Sequence, residues 1–231
     1  MRSTLMFEHP TYPSTVDFHA WGKPSLLTQD PVVAWQPPCC EECLVEGSFS
    51  LPMFIETPRL VLRPWADRDI EAFALVNADP EVRRYYYPAI LSSDQTRSML
   101  ADCDQHLQVH GFGFVAVERK ADGALVGGLG LSLTGDEIPG GPQVEIGWIL
   151  GRSHWRQGYA FEAASACLEH AWSTLGLRQV IGYTSSINTP SRALMERLGM
   201  RSDPAEDFPD PTVPEGNALR PHVLYRIDKP T

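Results

Sequence analysis

The stretch QVEIGWILGRSHWRQGYAFEAASACLEHAWSTLG, residues 143–176, decides how this chain folds. Its first part, Val144 to Leu150, is β-branched and aromatic with almost no charge, the pattern of a buried strand. Gly151 to His154 form a polar turn. Trp155-Arg156-Gln157-Gly158-Tyr159-Ala160 then opens a long helix. The side chains of Phe161, Ala164, Leu168, Ala171, Trp172 and Leu175 recur at three- and four-residue steps and predict one buried stripe. Small residues at the helix start, Gly158 and Ala160, let a ligand approach the backbone closely. The first N–H groups of a helix lack partners within it, and the aligned peptide dipoles put partial positive charge there. A strand running into a glycine-bearing helix start is therefore suited to an anion such as phosphate.

On these residues the stretch resembles the acyl-CoA-binding core of the GNAT superfamily of N-acetyltransferases, nearest the RimJ/RimL-like (ribosomal-protein N-acetyltransferase) branch. That superfamily's turn usually reads Gln or Arg, two residues, Gly, one residue, then Gly or Ala. Gly158 and Ala160 match it, whereas Trp155 stands at the Gln or Arg position. The strand before the turn and the helix after it give the short pattern its specificity. ETPRLVLRPW from Glu56 to Trp65, and Asn188-x-x-Ser191 followed by a helix ending in Leu198-Gly199, also resemble this branch. The resemblance covers about residues 54–228. It implies an α/β (α+β) fold with a central mixed, mostly antiparallel sheet and helices on both faces.

Working outward, Arg59 to Arg63 alternates as a strand, Asp67 to Ala78 reads as a helix with Ile70, Phe73, Ala74 and Val76 mostly inward, and residues 93–110 form a second helix capped by Ser92 or Ser93. Residues 112–119 and 124–133 are strands joined by Lys120-Ala121-Asp122-Gly123, a hairpin signal. Gly127, Gly128 and Gly130 sit inside a strand with no helix start after them, which excludes a dinucleotide motif. After a strand at 178–184, Thr189 is placed to cap a short helix with Pro190 in its first turn and Gly199 at its left-handed exit. Residues 222–227 close the sheet. The alternation of strands and helices itself implies a mixed sheet covered on both faces.

Residues 1–52 hold seven of the 20 prolines and no clear periodicity, so they read as a poorly structured or partner-packed extension, with residues 53–231 as the acetyltransferase domain. Cys39, Cys40 and Cys43 have no second pair after them, so no metal site is expected. The five cysteines do not suggest a disulfide framework. A net charge of −10 and pI near 5.1 argue against a nucleic-acid or anionic-membrane binder and suit a cationic partner. No apolar run approaches the ~20 residues that span a bilayer, and the N-terminus lacks the order of a secretion signal, so a cytoplasmic protein, monomeric or homodimeric, is expected.

The resemblance implies acetyl transfer from acetyl-CoA, as co-substrate, to a primary amine: a protein N-terminus or a small molecule. Glu145, a carboxylate in an otherwise apolar strand, is the candidate base, since burial moves such a group towards a useful pKa. Asp136 and Glu137 are alternatives, and a Glu at a sheet surface paired to an Arg is the bland reading. The resemblance places the backbone of Ile149 and Leu150 on the pantetheine arm. It puts Arg156, Gln157, Gly158, Tyr159 and Ala160 on the pyrophosphate, with Arg152 and Arg156 able to add charged contacts. Asn188 and Ser191 would meet the cofactor. Many members carry a Tyr, as acid for the leaving thiolate, where this chain has Met195. Ser191 is a possible substitute, and solvent protonation of the thiolate is another. Trp65, the Tyr85-Tyr86-Tyr87 run (Tyr86 and Tyr87 above all), Trp148 and the loop 134–142 are candidates for the acceptor pocket, the tyrosines through cation–π contacts. The missing Tyr and the extension leave a second reading open, a catalytically inactive acyl-CoA-binding sensor or interaction module.

Overall fold

The structure, a computed structural model, describes residues 53–231 and two paired strands, β1 (Asp17–His19) and β2 (Lys23–Ser25). The rest of the 1–52 extension, with Cys39, Cys40 and Cys43, lies outside the described residues.

A short hairpin, β3 (Ile55–Glu56) and β4 (Leu60–Arg63), leads into helices α1 (Asp67–Ala78), α2 (Pro80–Arg83) and α3 (Ser93–His110). Strands β5 (Phe114–Arg119), β6 (Leu125–Leu133) and β7 (Val144–Leu150) follow, then helix α4 (Tyr159–Ser173) and strand β8 (Gln179–Ser185). Helix α5 (Thr189–Arg197), strands β9 (Arg201–Ser202) and β10 (Phe208–Pro209), and the closing strand β11 (Pro221–Asp228) complete the chain. The sheet order is β10-β11-β8-β7-β6-β5-β4-β3, with β9 also on β11. Every neighbouring pair is antiparallel except β7 and β8. Parallel neighbours need a long crossover, and α4 supplies it.

The pleat sends alternate side chains of β7 to opposite faces. Val144, Ile146 and Leu150 join the core beneath α4, with Ala163, Ala164, Cys167, Leu168, Ala171 and Trp172. Ile149 points the other way, into the cluster built with Phe73 of α1 and Met99, Leu100 and Cys103 of α3. Each large side chain fully buried in these layers contributes roughly 1.5–3 kcal/mol. The helices thus lie on both faces of the sheet, and β7 is the strand they share.

Several elements differ in detail from the sequence reading. Trp155 to Gly158 are not helical: a single 3-10 turn at Arg152–His154 leads into a loop, and α4 starts at Tyr159 with Gly158 as its N-cap. Phe161 leaves the buried stripe and lies under the Arg197 guanidinium, 4.1 Å from it. Asn188, not Thr189, caps α5, its side chain accepting from the Ser191 N–H. Ser92 caps α3 in a reciprocal box with Gln95. The glycines of β6 are explained by crowding: a Cβ on Gly130 would lie 2.0 Å from the Gly113 carbonyl oxygen.

Helix α1 spans the expected residues, but two of its buried positions, Asp69 and Asn77, are polar. Arg63 donates to Asp69 at 2.6 and 2.9 Å and to Glu118 at 2.6 and 2.9 Å. Burial alone raises the Asp69 pKa; the hydrogen bond from Arg63, the Ala66 N–H and the charges of Arg63 and Arg68 outweigh it, and the net shift is downward. A carboxyl whose folded pKa is depressed adds stability above its unfolded pKa and loses it as pH falls through the folded value. Asp69→Ala is therefore expected to cost about 3 kcal/mol at neutral pH, because it strands a half-paired buried guanidinium. That deficit should shrink below about pH 4, as checked by urea denaturation across pH. An equal deficit at every pH would remove the ion pair as its cause.

Candidate functional site

Strands β7 and β8 are bridged at one register position, Glu145 opposite Ile181, and then splay apart. On its other edge β7 pairs with β6 along its whole length. The Thr134 N–H donates to the Gln143 carbonyl and the Gly151 N–H to the Val126 carbonyl. By the alternation of an antiparallel ladder, odd-numbered residues of β7 spend their backbone groups on β6, and Ile146, Trp148 and Leu150 turn theirs to the gap. Ile149 is thereby corrected as a backbone contact: its amide and carbonyl face β6, and its side chain is in the α1–α3 core. Two gap-facing carbonyls already accept bonds, Trp148 from the Tyr86 hydroxyl at 3.2 Å and Leu150 from Trp155 Nε1 at 2.8 Å.

A small cavity opens through this gap, lined by Glu145, Trp148, Tyr86, Tyr183, Ser191 and Met195, among others. It has two sides. Glu145 shares the sheet face of Ile149, and Tyr183 shares that of Ile181, the face of α1 and α3. Ser191 and Met195 reach it from α5, on the α4 face, where the Met195 methyl lies 3.3 Å from the Cβ position of Gly182. Glu145 is 4 % exposed. It is not a surface carboxylate: its Oε1 accepts from the Ser132 hydroxyl at 3.0 Å, and Tyr183 hydrogen-bonds to it as well. Asp136 and Glu137 sit on the exposed loop before β7.

Tyr86 is packed under Arg83, whose guanidinium lies 4.5 Å from its ring centre. Burial lowers the Arg83 pKa to about 10, leaving it cationic at neutral pH. Burial pushes Tyr86 up to about 12, Arg83 opposing this and the charge of Glu145 adding to it. Trp65 does not reach the cavity. Its Nε1 donates to the Phe114 carbonyl at 2.8 Å and its ring packs 4.6 Å from Phe73, so it is a core residue. Of the tyrosine run, Tyr85 and Tyr86 line the cavity and Tyr87 is exposed.

At the far end of β7 lie the loop 155–158 and the head of α4, where the sequence reading puts an anion site. Gly158 is left-handed, φ 81° and ψ 2°, and Arg156 has φ 58°. A Cβ on Gly158 would meet only Arg59 Nη2, at 3.4 Å. The turn thus offers backbone amides with room beside them, which fits the diphosphate of a nucleotide-bearing thioester. Arg59, which sequence reasoning missed, braces it: Nη1 donates to the Gln157 carbonyl at 3.0 Å, Nε to Glu162 at 2.6 Å, and the guanidinium covers the Tyr159 ring at 4.6 Å. Arg152 pairs with Asp79 at 3.5 Å, and the Gln157 side chain donates back to the Ser153 carbonyl at 2.7 Å. Asn188 is used internally, donating to Thr184 at 2.8 Å and to Ser191 at 3.1 Å.

Comparison with known proteins agrees with this geometry. Residues 59–201 match the family described as Acetyltransferase (GNAT) domain. An uncharacterized N-acetyltransferase, YnaD of Bacillus subtilis, is 26% identical over 175 residues, 76% of this chain and 96% of its own. The FsC-acetyl coenzyme A-N(2)-transacetylase of Aspergillus fumigatus is 31% identical over 192 residues, 77% of this chain and 80% of its own. The crystal structure of a GNAT-family acetyltransferase from Bacillus anthracis superposes with a TM-score of 0.63 at 27% identity, covering 76% of this chain and 98% of that one.

Proposed function

Because the chain belongs to the GNAT acetyltransferase family, we propose that it moves an acetyl group from acetyl-CoA to a primary amine, a protein N-terminus or a small-molecule amine, by direct attack in a ternary complex. The observation that carries this reading is the gap between β7 and β8, with a buried carboxylate on one side and an open phosphate turn at its end. The pantetheine arm would lie in the gap against the backbone of Trp148 and Leu150. Its diphosphate would rest on the amides of Arg156 to Ala160. The thioester carbon then faces the cavity, with the amine approaching from the α1–α3 side. Holding both reactants in line supplies much of the acceleration, and Glu145 removes the proton that the attacking nitrogen must lose.

On the opposite face Ser191 is the group nearest in role to the missing acid. Its hydroxyl accepts from Asn188 Nδ2, which leaves its own proton for the departing thiolate. We read the chain as nearest the RimJ/RimL-like branch and as acting in the cytoplasm, a reading supported by the resemblance of its Trp155-Arg156-Gln157-Gly158-Tyr159-Ala160 turn. No described helix is long and apolar enough to cross a membrane.

One feature favours the alternative, a binding module without turnover: Met195, buried at 3 % exposure, occupies the position where the family resemblance implies a tyrosine. The two readings separate in one assay. Acetyl-CoA and a thiol-trapping dye are incubated with a panel of amines and peptides with free N-termini. Thiol released only with particular acceptors supports the enzyme; tight CoA binding with no release on any acceptor supports the module.

A further inference from the structure

We propose that Tyr183 is a catalytic residue on the acceptor side of the cavity, taking a proton from the bound ammonium group and passing its own to Glu145. The inference rests on the transferase reading above and deepens it. Tyr183 lies on β8 two residues beyond Ile181, the single bridge to Glu145, so the pleat brings both side chains to the same face of the gap. Its ring is held edge-on by Phe208, centroids 5.8 Å apart at 62°, and lies 6.1 Å from His222.

The hydroxyl proton is directed at the Glu145 carboxylate, which also accepts from Ser132. A phenol that donates its one proton keeps oxygen lone pairs able to accept an N–H from the cavity. Burial, then the charges of Glu145 on β7, Asp210 in the segment before β11 and Glu137 in the loop before β7, hold the phenol well above its ordinary pKa of 10. At neutral pH it is therefore protonated and acts only by handing its proton on. The three carboxylates also favour an acceptor that arrives as a cation, in keeping with a chain of net charge −10.

His222 lines this side as well. Its Nδ1 lies 3.1 Å from the Arg220 carbonyl and its Nε2 lies 3.4 Å from Asp210 Oδ2. Both ring nitrogens are thus engaged by groups of the protein, Arg220 and Asp210. The step balances as two transfers. The ammonium N–H bond breaks as an O–H bond forms on Tyr183, and the phenol's original O–H bond breaks as one forms on Glu145. Glu145 returns that proton to solvent before the neutral amine attacks the thioester carbon. The tetrahedral nitrogen then loses its second proton to Glu145 as the C–S bond breaks and the thiolate takes the Ser191 proton, which solvent replaces.

The test uses the full chain, acetyl-CoA and three acceptor probes: n-butylamine, spermidine and tetrapeptides with free N-termini. Initial thiol release is measured from about pH 6 to 9 for the wild type, Tyr183→Phe, Glu145→Gln and the double variant, with CoA affinity by calorimetry. Tyr183→Phe is expected to lower kcat by about 30-fold or more with CoA affinity within about twofold. The double variant is expected to be no slower than Glu145→Gln alone, because groups that act as a unit are not additive. A Tyr183→Phe enzyme within about threefold of wild type at every pH, or one that has lost CoA binding, overturns the assignment. So does a double variant that shows the product of the two single losses. A wild type that binds CoA yet turns over none of the probes overturns the transferase reading, and this step with it.

Discussion

Gly158→Asp is expected to raise the dissociation constant for CoA by about 100-fold or more, which is about 3 kcal/mol, while leaving a folded protein. The left-handed backbone at Gly158 charges any other residue roughly 1 kcal/mol. Part of that is recovered, because the new carboxylate sits at the positive end of α4 and next to Arg59 Nη2, 3.4 Å from the Cβ position. The same two features are the ones a diphosphate needs. A fixed carboxylate therefore occupies the turn and repels the ligand's charge. Gly158→Ala separates strain from charge: it carries the backbone cost without the anion, and its affinity should stay within about tenfold of wild type. Calorimetry with CoA on the three proteins decides the matter. Undiminished affinity in the aspartate variant would mean that the diphosphate lies elsewhere.

Glu145→Gln is expected to lower kcat by about 10²–10³-fold, the range of a lost general base, with CoA affinity unchanged. The amide is close in shape to the carboxylate and can still accept from Ser132, so the loss reports charge rather than a cavity. Were Glu145 only a structural partner of β6 and β8, the variant would melt earlier but turn over normally once saturated. Thermal melts run beside the rate measurements distinguish the two. A variant active within about threefold of wild type would move the search for the base to Asp136 or Glu137 on the neighbouring loop.

Much of the layout was legible because it depends on local periodicity. The buried run of β7, the amphipathic α4, the limits of α1 and the capping residues around α3 are short-range signals, and each has one physical reading. The glycine-bearing turn was legible for the same reason, though its helix starts at Tyr159, because a left-handed Gly158 caps a helix instead of continuing one. The side chains around the cavity were harder to read. Trp65 carries the same aromatic signal as Trp148, yet one packs on Phe73 and the other lines the gap. Nothing local in Tyr183 sets it apart from Tyr225, whose hydroxyl instead donates to Glu196. Arg59, Arg63 and Arg83 are alike in sequence. The first braces the loop before α4, the second is locked into a carboxylate pair, and the third lies buried over Tyr86.

The amino-acid order alone determined the succession of strands and helices, the glycine-bearing turn at the head of α4 and the carboxylate within β7, since each depends on residues a few positions apart. Tertiary structure alone decided which edge of β7 is left open, that Ile149 faces away from the gap, and that Tyr183 meets Glu145. Those outcomes follow from strand register and splay, where a shift of one residue turns a side chain to the opposite face, and register is set by packing between segments distant in the chain.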